Sequence, residues 1–256
     1  MAAFVEFIGV PGAGKSTVYR EVTRRWRRVD NWVPVEVLLQ AQPVFGTGAL
    51  GALEKRLRST TGRRLGFDRS EIRLAANRFV TAHPWFASAT WSAIDKFPTP
   101  IERARRVEVR FDLATFWLDL CGRVQLARER EDCRICLIDE GLLHNNFLAS
   151  ALDTSTIAEA TKAVPLMPAG VVHCVAPADV AMARQLHRGR TPPTYRGLST
   201  DETLSKLHSS KQRVDLICSY LEAAGTPVLE INTEGALDTN ARHVRTFLDT
   251  VHGKAG

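Results

Sequence analysis

The sequence predicts an α/β protein in which a five-stranded parallel sheet forms the middle layer of a three-layer sandwich, with an all-helical insertion. Three observations lead to this prediction. Short apolar runs, typical of strands that are buried on both faces, recur along the chain. Helical patterns separate these runs, and a strand–helix–strand order favours parallel pairing. A glycine-rich turn joins the first run to the first helix. We expect the 256 residues to form a single domain.

Each predicted element has its own local signal. The helix predicted over residues 199–224 begins with the capping-box pattern Ser-Thr-Asp-Glu, continues with regularly spaced apolar residues and ends at Gly225. The predicted strands combine β-branched and aromatic residues and are bounded by turn residues. They cover residues 4–10, 134–139, 171–176 and 227–231, with 33–39 as the candidate for a fifth.

The long segment of residues 50–131 contains no convincing strand pattern and carries helical spacing. One apolar stripe would contain Val107, Phe111, Ala114, Leu118 and Cys121. We therefore expect an all-helical insertion between the first part of the sheet and the next core strand. Insertions of this kind usually carry substrate specificity, so this segment is the predicted acceptor-binding region.

Composition narrows the class of protein only moderately. The net charge of +6 reflects 27 arginines against 7 lysines, which suits a phosphorylated substrate, nucleic acid or simply a GC-rich genome. The five cysteines lie mostly in apolar runs, as expected of reduced, buried thiols. No apolar run approaches the ~18–20 residues that would span a bilayer, and a cleaved leader would destroy the glycine turn. We expect a cytoplasmic protein with no membrane partner.

The glycine turn is the strongest functional signal. Its sequence GVPGAGKS matches G-x-x-x-x-G-K-[ST], directly after a predicted strand and before a predicted helix. Such a turn points backbone N–H groups at an anion, and the helix N-terminus adds its positive dipole end. Lys15 would reach the β and γ phosphates of ATP, and Ser16 would bind Mg²⁺. The predicted nucleotide-binding residues are Gly9, Pro11, Gly12, Ala13, Gly14, Lys15, Ser16 and Thr17.

A second motif is the apolar run of residues 136–138, which ends in two carboxylates and a glycine. Because side chains alternate along a strand, Asp139 and Glu140 would point to opposite sides, and only one can face the nucleotide fully. Asp139 is the predicted Mg²⁺ ligand together with Ser16. Glu140, at the strand exit, is a candidate to contact the acceptor, and either carboxylate could activate an acceptor hydroxyl.

A third motif is rich in arginine. Arg184 and Arg188 lie four residues apart and so share a helical face, and Arg190 follows Gly189. Mobile arginines of this kind stabilise the charge of a transferring phosphoryl group and exclude water, so residues 189–199 are the predicted lid.

Lys15, Asp139, Glu140 and the three arginines are the predicted catalytic set. Asn232, which follows the last predicted strand, either contacts the nucleotide base or belongs to a turn.

With these motifs in this order, the chain resembles the thymidylate-kinase-like branch of the P-loop nucleoside and nucleotide kinases. The resemblance covers residues 3–40 and 133–252. It implies Mg-ATP as the phosphoryl donor and a small acceptor. Thymidylate kinases carry an arginine after the motif aspartate, where this chain has Glu140. A carboxylate there would repel a phosphate monoester and suits a hydroxyl, whereas the arginine-rich insertion favours an anionic acceptor.

The sequence thus predicts an ATP-dependent kinase acting on a hydroxyl or phosphate of a nucleoside, nucleotide or sugar. One alternative is a P-loop ATPase or nucleotide-gated interaction protein, in which Asp139 and Glu140 form a Walker B pair and Glu140 polarises water. A third hypothesis is a kinase of polynucleotides or modified DNA bases. It is favoured by the pI of about 9.3 and predicts salt-sensitive binding.

Overall fold

An all-parallel sheet of five strands organises the part of the protein that the structure describes. The computed structural model describes residues 3–39, 69–96, 103–130, 132–144, 154–189, 192, 195 and 197–255. The strands are β1 (Phe4–Ile8), β2 (Trp32–Pro34), β3 (Ile135–Ile138), β4 (Gly170–Val175) and β5 (Val228–Asn232). They lie side by side in the order β2-β3-β1-β4-β5, and every neighbouring pair is parallel. The predicted five-stranded parallel sheet is confirmed.

Helices cover both faces of this sheet. In the described residues they are α1 (Lys15–Arg24), α2 (Val35–Leu38), α3 (Arg69–Ala82), α4 (Pro84–Asp95), α5 (Arg103–Glu129), α6 (Thr154–Lys162), α7 (Ala178–His187), α8 (Thr200–Ala223) and α9 (Leu237–Ala255). Helices α3, α4 and α5 account for most of the described part of the predicted insertion, which contains no strand there. Within the described ranges, no helix combines the length and apolar character needed to cross a membrane.

Side chains of β1 pack alternately into two separate hydrophobic cores, one on each face of the sheet. Phe4 and Ile8 pack into a cluster with residues of α3, α5, α6 and α8. Val5 and Phe7 point the other way and pack with residues of α1, α7 and α9. Full burial of a side chain of this size contributes about 1.5–3 kcal/mol, so these four apolar residues stabilise the packing on both faces of the strand. The sheet is therefore the middle layer of a three-layer sandwich.

The prediction of a strand over residues 33–39 is wrong in its second half. The strand ends at Pro34, and the next four residues form α2. Val35 and Leu39 lie one helical turn apart, are 3% and 1% exposed, and join the same core cluster. The amide of Leu39 donates to the carbonyl of Val35 at 2.8 Å. A short apolar run is compatible with the periodicity of a strand and with that of a helix, and the position of the core decides which of the two forms.

The predicted apolar stripe of α5 is also wrong in its first half. Val107 and Phe111 are 65% and 69% exposed, although Cys121 is buried as predicted. The buried face begins two residues later, with Val109, Leu113 and Trp117. The reason is the contact with α3. At Gly122 a Cβ atom would lie 2.2 Å from the carbonyl oxygen of Ile72, so the two helices approach through this glycine.

The predicted capping box of α8 is present. The Glu202 amide donates to the Ser199 hydroxyl at 3.3 Å, and the Ser199 amide donates to the Glu202 carboxylate at 2.7 Å. The helix then runs for 24 residues and ends before Gly225, which has φ +83°. Local chemistry alone therefore determines both ends of this helix.

We predict that Ser199→Ala lowers the free energy of unfolding by about 1 kcal/mol, because the Glu202 amide at the start of α8 loses its acceptor. Chemical denaturation followed by circular dichroism measures the change. Ser205→Ala, an exposed position within the same helix, is the matched control and should cause no loss. Equal destabilisation by both substitutions would contradict the role of the cap.

Candidate active site

The glycine turn between β1 and α1 has the conformation that anion binding needs. Gly12 has φ +85°, and Gly14, the N-cap of α1, has φ +90°. A Cβ atom at Gly12 would lie 2.1 Å from the carbonyl oxygen of Ala181 in α7, so no other residue fits there. No described side chain caps α1 at this end. The Thr17 and Val18 amides donate to the Gly14 carbonyl, so the preceding amides of Lys15 and Ser16 are left for a ligand, and the helix dipole favours a negative one.

Lys15 places an ammonium group within this turn. Its side chain is 6% exposed, and its Nζ donates to the carbonyl oxygens of Gly9 at 2.8 Å and Val10 at 3.4 Å. The same Nζ lies 3.7 Å from Oε1 of Glu140. Because its described partners are two carbonyls and one distant carboxylate, the charge of this ammonium is only partly balanced. It is well placed for a phosphate.

Asp139 lies beside Ser16, because β3 pairs directly with β1. The Ser16 side chain lies close enough to this carboxylate to influence its pKa. Burial raises the pKa of Asp139, while the nearby Ser16 hydroxyl and the charges of Lys15, Arg20 and Arg188 oppose the rise. Its Oδ1 is buried and has no hydrogen-bond partner among the described residues. A buried carboxylate oxygen without a hydrogen-bond partner is suited to binding a cation.

The pair Ser16 and Asp139 fits a magnesium ion. A hydroxyl and a carboxylate oxygen are the hard ligands that Mg²⁺ prefers, and the ion commonly keeps several waters and phosphate oxygens as further ligands. In the described part of the chain, no three His, Cys, Asp or Glu side chains gather as a metal site. Ser16 and Asp139 would thus supply two of the ligands of such an ion, and other groups would complete its coordination.

Glu140 and His144 form the opposite side of the site. The Glu140 carboxylate lies 3.7 Å from Nε2 of His144, and 36% of its side chain is exposed. Burial raises its pKa, the Asp139 charge adds to this, and Lys15 opposes it. Burial holds the pKa of His144 well below its usual value, with Lys15 and Arg213 contributing. The imidazole is therefore neutral at pH 7, and its buried Nδ1 has no described partner.

The predicted arginines differ in what they contact. Arg184 donates to the hydroxyl of Thr233 at 2.9 Å and to its carbonyl at 3.2 Å. Thr233 in turn lies against Gly14, so Arg184 braces the wall of the glycine turn. Arg188 is exposed and lines the same cleft as Lys15 and Glu140. Arg190 and much of the predicted lid lie outside the described residues.

Asn232 takes part in the turn that follows β5. Its Oδ1 accepts from the amide of Glu234 at 2.9 Å, and its carbonyl accepts from Nδ2 of Asn240 at 2.8 Å. This is the turn role that the sequence left open for an asparagine at a strand end. A contact between Asn232 and a nucleotide base stays a prediction.

Two polar residues near the site were missed by the sequence analysis. Gln185 of α7 is buried and donates to the carbonyl of Pro11 at 2.9 Å, which ties α7 to the glycine turn. Glu36 follows β2 and accepts a hydrogen bond from the hydroxyl of Tyr19. The only sequence signal for Glu36 is its place as the one charged residue in an apolar run.

Glu6 was also missed, because it too is an isolated charged residue in an apolar run. It lies in the central strand β1 and is 4% exposed. Its carboxylate accepts from the amide of His144 at 2.7 Å and, more weakly, from that of Leu143 at 3.4 Å. Burial raises its pKa from 4.5 to about 7; the two amides oppose the rise, and the Glu140 charge adds to it. A carboxylate thus lies within the sheet, next to the residues that follow β3.

Comparison with known proteins does not assign the chain to a family. No known family model matches the chain, and no curated protein matches it. Among solved structures it is similar to a deoxyadenosine kinase from M. mycoides, whose structure contains the products dCMP and a flexible dCDP. The two share 12% identity with a TM-score of 0.46, over 96% of this chain and 99% of that chain. Because both values are low, the functional conclusion rests on the site residues themselves.

We predict that Gly12→Ala abolishes measurable binding of Mg-ATP and lowers the free energy of unfolding by about 2 kcal/mol or more, because the new methyl group clashes with α7 at a positive φ. Isothermal titration calorimetry and chemical denaturation measure the two effects. Gly253→Ala, where no atom lies within 4 Å of the new Cβ, should leave both unchanged or slightly increase stability. Unaltered ATP affinity in Gly12→Ala would refute the assignment of the turn.

We also predict that Glu6→Gln is more stable than the wild type at pH 8, by on the order of 2 kcal/mol. The raised pKa means that the contribution of Glu6 is fully present below pH 4.5 and is lost as the pH rises through about 7. Glutamine lacks this dependence, so the difference should shrink towards pH 5. Unfolding at several pH values measures it, with the exposed Glu222→Gln as control. A wild type that gains stability relative to Glu6→Gln between pH 5 and 8 would contradict the assignment.

Proposed function

We propose that the protein is an ATP-dependent phosphotransferase, which transfers the terminal phosphoryl group of ATP to a small acceptor such as a nucleoside, nucleotide or sugar. The observation that carries the proposal is the convergence of three motifs on one cleft. The glycine turn with Lys15 forms its floor. Asp139 lies beside Ser16, and Arg188, directly after α7, lines the cleft.

Each of these groups would have a specific role in phosphoryl transfer. The loop amides and Lys15 would bind the β and γ phosphates, and Ser16 and Asp139 would hold Mg²⁺. The ion, when bound, offsets the negative charge of the phosphate oxygens. Arg188 would neutralise the transferring group, with Arg190 as the further predicted lid residue. The hydrogen bonds of Arg184 to Thr233 favour a supporting role for that arginine.

Glu140 is the better candidate for the group that accepts the acceptor's proton. Asp139 is buried and is the candidate Mg²⁺ ligand, whereas Glu140 lines the cleft and is partly exposed. Its raised pKa makes it a stronger base than an ordinary carboxylate. A carboxylate at this point favours a hydroxyl acceptor over a phosphate monoester, because two negative charges would repel each other.

An ATPase is the second candidate function. The consecutive Asp139 and Glu140 suit it, since a partly exposed Glu140 could polarise water as readily as an alcohol. The two functions differ in their products. A kinase makes phosphorylated acceptor, whereas an ATPase makes free phosphate whatever acceptor is present.

The test is an acceptor panel with Mg-ATP, containing nucleosides, nucleoside monophosphates, sugars, aminoglycosides and oligonucleotides, with products detected by mass spectrometry. We predict a phosphorylated product for the wild type and a loss of about 100-fold or more in Lys15→Ala. Lys162→Ala, which removes an exposed lysine of α6, should retain full activity. Full turnover by Lys15→Ala would refute the mechanism, and free phosphate alone with every acceptor would favour the ATPase.

Glu140→Gln separates catalysis from nucleotide binding. We predict a kcat lower by about 100-fold or more, because general base catalysis is lost, with little change in the Kd for Mg-ATP. Steady-state kinetics on the acceptor found by the panel and calorimetry provide the two numbers. A variant with unchanged kcat would exclude Glu140 as the base.

A further inference from the structure

Glu6 is a buried ionisable group for which the proposed chemistry has no direct use. It lies in the centre of the sheet and is 4% exposed. Among the described residues, no lysine, arginine or histidine forms an ion pair with its carboxylate. An apolar side chain at this position would pack with Phe4 and Ile8, which point to the same face of β1. The carboxylate is therefore unfavourable for the core taken by itself.

The carboxylate supports the backbone that follows β3. Glu6 pairs with Ile138, so its side chain lies beside the end of that strand. It accepts the amide of His144 at 2.7 Å, with Leu143 at 3.4 Å. At Gly141 a Cβ atom would lie 2.0 Å from Oε2 of Glu6. The segment of residues 141–144, termed here the exit turn, thus folds directly onto this carboxylate.

The exit turn connects two groups of the candidate site. Glu140 immediately precedes it and His144 ends it, and their side chains lie 3.7 Å apart. Glu140 in turn lies 3.7 Å from Nζ of Lys15. A shift of the exit turn would therefore move the candidate base relative to the ammonium that would bind phosphate.

We propose that Glu6 is a positioning residue, whose carboxylate accepts amide protons of the exit turn and so holds Glu140 and His144 against Lys15. Its kinetic consequence rests on the proposed phosphotransferase function, whereas its structural part does not. A carboxylate suits this task because hydrogen bonds to an ionised acceptor are roughly twice as strong as neutral ones. The charged group that faces Glu6 from the exit of β3 is Glu140, whose own neighbours are Asp139, His144 and Lys15.

The test is Glu6→Gln, which keeps the shape of the side chain and removes its charge, with Glu222→Gln as the matched control. Hydrogen exchange at pH 8, followed by mass spectrometry, reports on the exit turn. Calorimetry gives the Kd for Mg-ATP, and kinetics give kcat and KM for the acceptor identified by the panel. The full chain is used throughout.

We expect exchange of the Leu143 and His144 amides to accelerate about tenfold, with exchange in α9 no faster than in the wild type. The Kd for Mg-ATP should stay within about twofold, because the glycine turn is untouched, and kcat should fall about tenfold or more while KM changes less. Unchanged exchange in the exit turn would overturn the proposal, as would faster exchange throughout the chain, which indicates a purely structural role. Altered exchange with unchanged kcat would also overturn it.

The two proposals fail separately. If the wild type phosphorylates no acceptor, the exchange experiment still decides whether Glu6 holds the exit turn. A second pair of variants guards against poor folding of Glu6→Gln. Gly141→Ala introduces a methyl group that clashes with Glu6, so adding Glu6→Ala should relieve part of the loss in unfolding midpoint. Strictly additive losses in this double-mutant cycle would argue against contact between the exit turn and Glu6.

Discussion

The parallel pairing of β1 with β3 is the constraint on which the candidate site depends. Parallel strands release their C-terminal ends at the same edge of a sheet, so whatever follows each strand must meet there. The glycine turn follows β1, and Asp139 and Glu140 follow β3. Two segments separated by more than 120 residues thereby come into contact, since Nζ of Lys15 lies 3.7 Å from Oε1 of Glu140. Burial of both sheet faces keeps this pairing in place, since neither strand can leave without exposing apolar side chains on two sides.

A second set of contacts then holds the glycine turn rigid. Gln185 bonds the carbonyl of Pro11, and Arg184 bonds Thr233, which itself lies against Gly14. These contacts come from α7 and from the residue that follows β5. In the sheet, β5 lies on the side of β1 opposite to β3. The turn is therefore enclosed by neighbours that leave no space for a Cβ atom at Gly12. A binding loop held in this way needs little rearrangement to bind a ligand, which is how pre-organisation contributes to affinity.

Charge and burial oppose each other throughout the site. Burial raises the pKa of Glu6, Asp139 and Glu140, and one largely buried ammonium, that of Lys15, lies among them. Raising the pKa of Glu6 from 4.5 to about 7 corresponds to on the order of 3 kcal/mol of destabilisation of its charged form. Functional sites commonly show such locally unfavourable arrangements, which the surrounding core must offset. A cation held by Asp139 would reduce the repulsion between Asp139 and Glu140, so metal binding and the charge of the site are linked.

The sequence by itself determined the elements whose signals are local. The glycine turn, the carboxylates at the end of β3 and the capping box of α8 each lie within a few consecutive residues, and their chemistry requires no distant partner. Only the tertiary structure decided which face of α5 is buried, why the run after Pro34 becomes a helix, and what Arg184 contacts. The roles of Glu6, Glu36 and Gln185 belong to this second group. Each depends on a partner far away in the sequence, and an isolated polar residue in an apolar run carries no information about which backbone or side chain will fold against it.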